Sequence, residues 1–281
     1  MEIIEKDKTI GILVVDGRRT YMARLLQKKG YQVYVWDLEE GTNLLPEEKV
    51  WEANVIILPV PVHRIKEQEQ LETCLLLHKD TIELCIGGIF PEHLVKVLQE
   101  NQIPWMDVLK NPEVATRNAI ATAEGTLAEL SRLMPVNIEG ANIIVMGFGK
   151  CGKPIAEKLY CMGADVSVVA RSEKALSLAH YFGFMDYPMD AVIPYAEADA
   201  IINTIPARVI ERKEIDQLKQ DAVILDIASA PGGCDFDYCK EKGIQCKLAL
   251  GLPGIYSPKT SGEILLEAMP FGYKPSEIKW K

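Results

Sequence analysis

An α/β protein of two domains, each built on a parallel sheet, is what this sequence predicts, and three observations predict it. Short runs rich in β-branched residues alternate with amphipathic stretches along the chain. A strand–helix–glycine–strand pattern occurs twice, its copies starting about 130 residues apart. The second copy carries a glycine-rich turn between its strand and its helix.

Taken in order, strands are expected at Ile10–Val15, Gln32–Trp36, Asn54–Leu58, Ile82–Ile86, Asn142–Met146, Asp165–Val169, Ala200–Asn203, Ala222–Asp226 and Gln245–Leu248. Helical patterns lie between most of them. Gly30 ends the helix of the first copy and Gly163 that of the second, each suited to a left-handed C-cap. Lys110-Asn111-Pro112 reads as the break between domains. A long helix, Asn118–Leu133, follows and is stopped by Pro135. On it, Asn118, Thr122 and Gly125 share a face of small and polar residues. The run Gly251–Thr260 reads as a rigid loop feeding a last helix, Thr260–Ala268, with Thr260 and Glu263 as its capping box. That helix is expected to return to the first domain. The division is therefore residues 1–115 with 260–281, and 116–259.

The chain has 281 residues, 48% of them hydrophobic, enough to bury two cores. Its net charge of −9 and pI of about 5.1 speak against nucleic acid and anionic membrane as partners. No apolar run is long enough to span a bilayer, and the charged start MEIIEKDKTI lacks the apolar stretch of a signal peptide, so a cytoplasmic location is expected. Cys74, Cys85, Cys151, Cys161, Cys234, Cys239 and Cys246 form no CxxC pair, and His63, His78, His93 and His180 are scattered. Free, mostly buried thiols and no metal site are expected. Nor is there a Ser/His/Asp or Cys/His set for nucleophilic catalysis.

Chemistry concentrates after Asn142–Met146, at Gly147-Phe148-Gly149-Lys150-Cys151-Gly152. This GxGxxG follows a strand and opens a helix, as in the Rossmann dinucleotide-binding fold. Gly147 permits the tight turn, Gly149 lets a pyrophosphate approach the backbone, and Gly152 lets helix and strand pack closely. Phe148, Lys150 and Cys151 complete the turn, and the helix start offers free N–H groups to phosphates. Pro154 suits the first helical turn. Where NAD sites carry a carboxylate for the ribose 2′-hydroxyl, this chain has Val169-Ala170-Arg171-Ser172. Arg171 can pair with a 2′-phosphate and Ser172 can donate to it, so the expected cofactor is NADP.

The carboxyl ends of two further strands carry Asn203-Thr204-Ile205-Pro206 and Asp226-Ile227-Ala228-Ser229, placed to line a cleft. In the N-terminal domain the corresponding turn is Asp16-Gly17-Arg18-Arg19, which lacks the glycines for a second nucleotide but could clamp a carboxylate. Lys259, at the start of the last helix, is a second cation at a helix N-terminus.

These motifs resemble the dipicolinate synthase A-subunit family of spore-forming bacteria. The likeness rests on Ile143–Gly152, Val169–Ser172, Asn203–Pro206, LDIASAPGGCDF at Leu225–Phe236 and GLPGIYSPKTSG at Gly251–Gly262. Asp16-Gly17-Arg18, Leu58-Pro59 and Asn118 with Glu124-Gly125-Thr126 also fit. Arg19 and Ala119 depart from the pattern, which has glutamine and a bulkier residue there. The resemblance implies a C-terminal Rossmann domain with a flavodoxin-like N-terminal α/β domain, in the arrangement of D-2-hydroxyacid dehydrogenases. It implies NADP-dependent oxidation of a dihydrodipicolinate-level intermediate of the lysine pathway to dipicolinate, in the mother cell of a sporulating bacterium. The implied partner is the B-subunit of dipicolinate synthase, a flavoprotein-like chain; homo-oligomerisation stays open. Arg18 and Lys259 would then hold the two carboxylates between the domains, and Thr204 and Ser229 would position nicotinamide or substrate. Two alternatives remain: another NADP-dependent oxidoreductase of a small carboxylate, and a non-catalytic nucleotide-binding subunit.

Overall fold

Every described strand runs parallel to its neighbours, the pairing in which strands buried on both faces read as near-continuous apolar runs. The computed structural model describes residues 3–14, 16–37, 44–45 and 48–272, apart from the side chains of Val14 and Arg19. Val15, the expected end of the first strand, and 273–281 of the returning segment lie outside the described residues. The chain divides into two compact units, Met1–Asn118 with Ser257–Lys281, and Ala119–Tyr256.

The first unit holds β1 (Thr9–Val14), α1 (Arg18–Lys28), β2 (Gln32–Asp37), β3 (Val55–Ile57), α2 (Gln68–Leu77), β4 (Leu84–Gly87), α3 (Glu92–Glu100) and β5 (Trp105–Asp107). Its sheet order is β2-β1-β3-β4-β5, the flavodoxin-like order. Ile10, Ile12, Val55, Ile57 and Ile86 meet Met22 and Leu26 of α1 in one core. Strand β5 has no sequence signal. Its three residues are only half-buried and show no periodicity; pairing with β4 alone makes it a strand.

Helix α4 (Pro112–Leu133) starts earlier than expected. Pro112 opens it rather than breaking it, because a proline in the first turn sacrifices no hydrogen bond, and Asn111 Oδ1 accepts from Glu113 N at 3.0 Å. The division between units falls inside this helix, at Asn118.

The second unit holds β6 (Asn142–Met146), α5 (Gly152–Cys161), β7 (Asp165–Ala170), α6 (Glu173–Tyr181), β8 (Met185–Pro188), β9 (Ala200–Asn203), α7 (Arg212–Ile215), β10 (Val223–Asp226), α8 (Phe236–Lys242), β11 (Gln245–Leu248) and α9 (Leu252–Tyr256). Its sheet order is β11-β10-β9-β6-β7-β8. Counted within the unit this is the doubly wound 3-2-1-4-5-6 order. Strand β8 went unread because it is a short edge strand ending in proline, a residue tolerated only at edges.

Two expectations near the end are corrected. Gly251–Thr260 is not a loop: it contains α9, with Pro253 in the helix's first turn, where no N–H is needed. The last helix, α10, is Pro258–Ala268, with Ser257 as N-cap and proline in its first turn. Thr260 therefore lies inside the helix and caps nothing. Ile264, Leu265 and Leu266 of α10 pack against Met22 and Leu26, so α10 belongs to the first unit's core.

Candidate functional site

In the second unit the strand order reverses between β6 and β9, where Met146 pairs with Asn203. Chain connections diverge there, leaving a crevice at the strands' carboxyl ends. Gly147 leaves β6 with φ +92°, and a side chain there would meet Thr204 Oγ1 at 2.4 Å. A Cβ on Gly152 would come within 1.9 Å of the Gly147 carbonyl oxygen, so helix α5 sits against the turn only because that residue is glycine. At Gly149 a Cβ would meet nothing within 4 Å. The turn is thus closed on the side of the protein and open at Gly149. The N-cap of α5, Cys151, makes no side-chain cap, and no acidic residue stands in the first helical turn. A narrow glycine turn, open backbone and an uncapped helix start together fit the pyrophosphate of a dinucleotide.

The other residues of the turn divide. Lys150 is exposed. Burial pushes the Cys151 thiol up, so it stands beside the helix start as a neutral group. Phe148, placed by the sequence reading among the cofactor-binding residues, is turned into the core, edge-on to Phe184 at 5.8 Å. Only its backbone faces the turn. At the end of β7, Arg171 is exposed and Ser172 caps α6, its Oγ accepting from Ala175 N at 3.2 Å. The Ser172 hydroxyl hydrogen remains available for donation.

Thr204 Oγ1 donates to the Met146 carbonyl at 2.9 Å, which holds the threonine on the fingerprint turn. Asn203 and Asp226 do not line a cleft, as the sequence reading had them do. Both are fully buried and bonded to each other, Asn203 Nδ2 to Asp226 Oδ1 at 3.0 Å. Asp226 also accepts from Ala228 N and Gly233 N, at 3.0 and 2.6 Å. Burial raises its carboxyl against these bonds. The pair fixes the loops after β9 and β10 and leaves Ser229 exposed. Glu129 of α4 is a second buried carboxylate, held by Lys247 Nζ and the Tyr256 hydroxyl, both at 2.6 Å. It ties α4 to β11 and α9. Gly125 packs on Leu252 and Tyr256, and Glu124 pairs with Lys158 at 3.1 Å.

None of the seven cysteines is in a disulfide. Three that form no CxxC pair in the sequence meet beside β11: Cys234 Sγ lies 3.5 Å from that of Cys239 and 3.3 Å from that of Cys246.

In the first unit, Asp16 lies beyond the end of β1. Arg18 was expected to meet a substrate, but its guanidinium turns back on Asp16: Nε donates to Oδ1 at 2.9 Å and Nη2 to Oδ2 at 2.6 Å. Nη2 also donates to the Val60 carbonyl at 2.7 Å, and Arg18 is only 3% exposed. The reason is electrostatic: a buried guanidinium must find a carboxylate, and Asp16 is in reach. Arg64, unnoticed in the sequence, donates through Nη1 to Asp16 Oδ2 at 2.5 Å. Burial alone would raise the Asp16 carboxyl, but bonding to Arg18 and the charges of Arg18 and Arg64 hold it below the usual range. Lys259 is exposed in the first turn of α10. The signal for Arg64 was its place just beyond the third strand, after Leu58-Pro59.

Fold and turn together are those of a two-domain dinucleotide-binding protein of the D-2-hydroxyacid dehydrogenase architecture. Residues 106–231 match the family of the D-isomer specific 2-hydroxyacid dehydrogenase NAD binding domain. Within that class the chain is similar to the A-subunit of dipicolinate synthase. It is 33% identical to that protein of Bacillus subtilis over 184 residues, 65% of this chain and 62% of the relative, so the match spans about three fifths of the relative's length. The solved structure of the dipicolinate synthase A-subunit from Bacillus halodurans superposes with a TM-score of 0.76 at 27% identity, covering 92% of this chain and 95% of that one. The Bacillus subtilis counterpart gives 0.73 at 26% identity, covering 95% and 96%. No helix among the described residues is long and apolar enough to cross a membrane.

Proposed function

We propose that this chain is an oxidoreductase that converts a dihydrodipicolinate-level intermediate of the lysine pathway to dipicolinate with NADP. It would act in the mother-cell cytoplasm of a sporulating bacterium, with a second, flavoprotein-like subunit. The observation that carries the reading is the likeness to the A-subunit of dipicolinate synthase along nearly the whole chain, joined to a turn shaped for a dinucleotide. Gly147, Gly149 and Gly152, with the flanking Lys150 and Cys151, would hold the pyrophosphate, and Arg171 with Ser172 the ribose 2′-phosphate. A bound nicotinamide supplies the hydride acceptor. Thr204, fixed on Met146, and the exposed Ser229 present hydroxyls to orient the reacting rings. The Arg18 cluster and Lys259 would anchor the two carboxylates. Aromatisation of the substrate ring drives the reaction, so the protein's task is to hold the ring and exclude water rather than to supply a strong base.

The test is NADP reduction on adding freshly generated dihydrodipicolinate, with and without the partner subunit. Reduction is expected, stimulated by the partner. A chain that binds the nucleotide yet supports no reduction in either case would instead be a nucleotide-binding subunit of some other activity.

The choice of NADP is tested separately. NADP should bind more tightly than NAD by roughly 10- to 150-fold, the worth of a charge-assisted pair, and Arg171→Ala should narrow that gap. Equal affinities of the unaltered protein in calorimetry would overturn the assignment.

A further inference from the structure

We propose that Arg64 takes a carboxylate of the substrate, at an anion site built where the strand order of the N-terminal sheet reverses; that the ligand is a small dicarboxylate rests on the function proposed above. Three observations converge on this residue.

The first is topological. The order β2-β1-β3-β4-β5 places the reversal between β1 and β3. Ligands of open α/β sheets bind outside the carboxyl ends of the strands at that point. Asp16 follows β1, and Val60 to Arg64 follow β3, so their cluster stands there.

The second is a matter of charge. Two guanidiniums face one carboxylate, which leaves one positive charge in a chain of net −9. Arg18 alone already engages both oxygens of Asp16. A cluster serving only to neutralise Asp16 has no need of Arg64. An anionic substrate approaching a negatively charged protein does need such a local cation.

The third is the division of labour between the arginines. Arg18 is 3% exposed and spends its bonds on Asp16 and Val60. The Arg64 side chain is 24% exposed, and Asp16 engages its Nη1. Its Nε and Nη2 form the side-on fork that binds a carboxylate through two parallel hydrogen bonds. Asp16, itself locked by Arg18, fixes the guanidinium before a ligand arrives, which reduces the ordering cost of binding. The start of α1 carries no acidic residue in its first turn, and its first N–H, from Arg18, donates to Asp16 Oδ1 at 3.2 Å. Arg64 is therefore the ligand contact, and Asp16 and Arg18 are positioning residues.

The test is calorimetric titration of dipicolinate, and of a panel of simple dicarboxylates, into the unaltered protein, Arg64→Ala and Arg64→Lys at saturating NADPH. Arg64→Ala should weaken dipicolinate binding about 10- to 100-fold. It should leave the NADPH affinity and Tm nearly unchanged, since Asp16 keeps Arg18. Arg64→Lys should recover part of the loss, because a point charge keeps the attraction and loses the fork. Unchanged dipicolinate affinity in Arg64→Ala would overturn the assignment and leave the proposed function standing. If the unaltered protein ignores dipicolinate but binds another dicarboxylate in an Arg64-dependent way, the site stands and the proposed substrate falls. If it binds no small carboxylate, both fall.

Discussion

Gly149→Val should abolish nucleotide binding while leaving the protein folded. In the structure a Cβ at 149 meets no atom within 4 Å beyond its chain neighbours, so valine points into open space, and the change in stability should stay within about 1 kcal/mol. That same space is where a pyrophosphate would approach the backbone. Two lost charge-assisted hydrogen bonds would cost about 3–6 kcal/mol, a weakening of roughly 10²- to 10⁴-fold. Gly152→Val is the contrasting control. Its Cβ would lie 1.9 Å from the Gly147 carbonyl oxygen, so it should unfold the turn rather than merely block it. Thermal melts and NADP titrations of the two variants separate these outcomes. Retained NADP binding in Gly149→Val would show that the phosphates lie elsewhere.

Arg18→Ala should destabilise the fold by about 3–5 kcal/mol, the usual result of removing one member of a buried ion pair. The variant leaves Asp16, 5% exposed in its side chain, with only Arg64 as counter-ion. The pH dependence carries the same signature. In the unaltered protein the Asp16 carboxyl is held low, so its contribution is present above the unfolded value of about 3.9 and is lost as pH falls through the folded value. Without Arg18, burial pushes that carboxyl up, so the loss of stability should begin at higher pH. Urea unfolding of both proteins across the acid range measures the difference. A loss under about 1 kcal/mol, with an unchanged acid limb, would mean that Asp16 relaxes into water.

These outcomes bear on what could be read without coordinates. Asn142–Met146 and Ala200–Asn203 stand where their apolar runs place them. A strand buried on both faces must be apolar throughout, and that pattern is local. The turn Gly147–Gly152 was legible for a related reason, since glycine is demanded by backbone geometry and leaves its mark in the chain itself. Edge strands β5 and β8 were not legible: short and half-exposed, they are strands because a neighbour pairs with them.

The polar clusters mark the other limit. Arg18 beside Asp16 can be seen in sequence, but not the direction in which its guanidinium turns, which burial decides. Arg64 meets Asp16 across 48 residues, and Lys247 and Tyr256 meet Glu129 across 118 and 127. No period or motif links such pairs. They exist because the sheets bring distant strand ends together, and because a charge taken from water must find a partner wherever the fold supplies one. The sequence alone thus determined the two parallel-sheet α/β architecture and the glycine turn, whose causes lie within a few residues of chain. Tertiary structure alone decided that Arg18 is buried while the Arg64 side chain stays partly exposed.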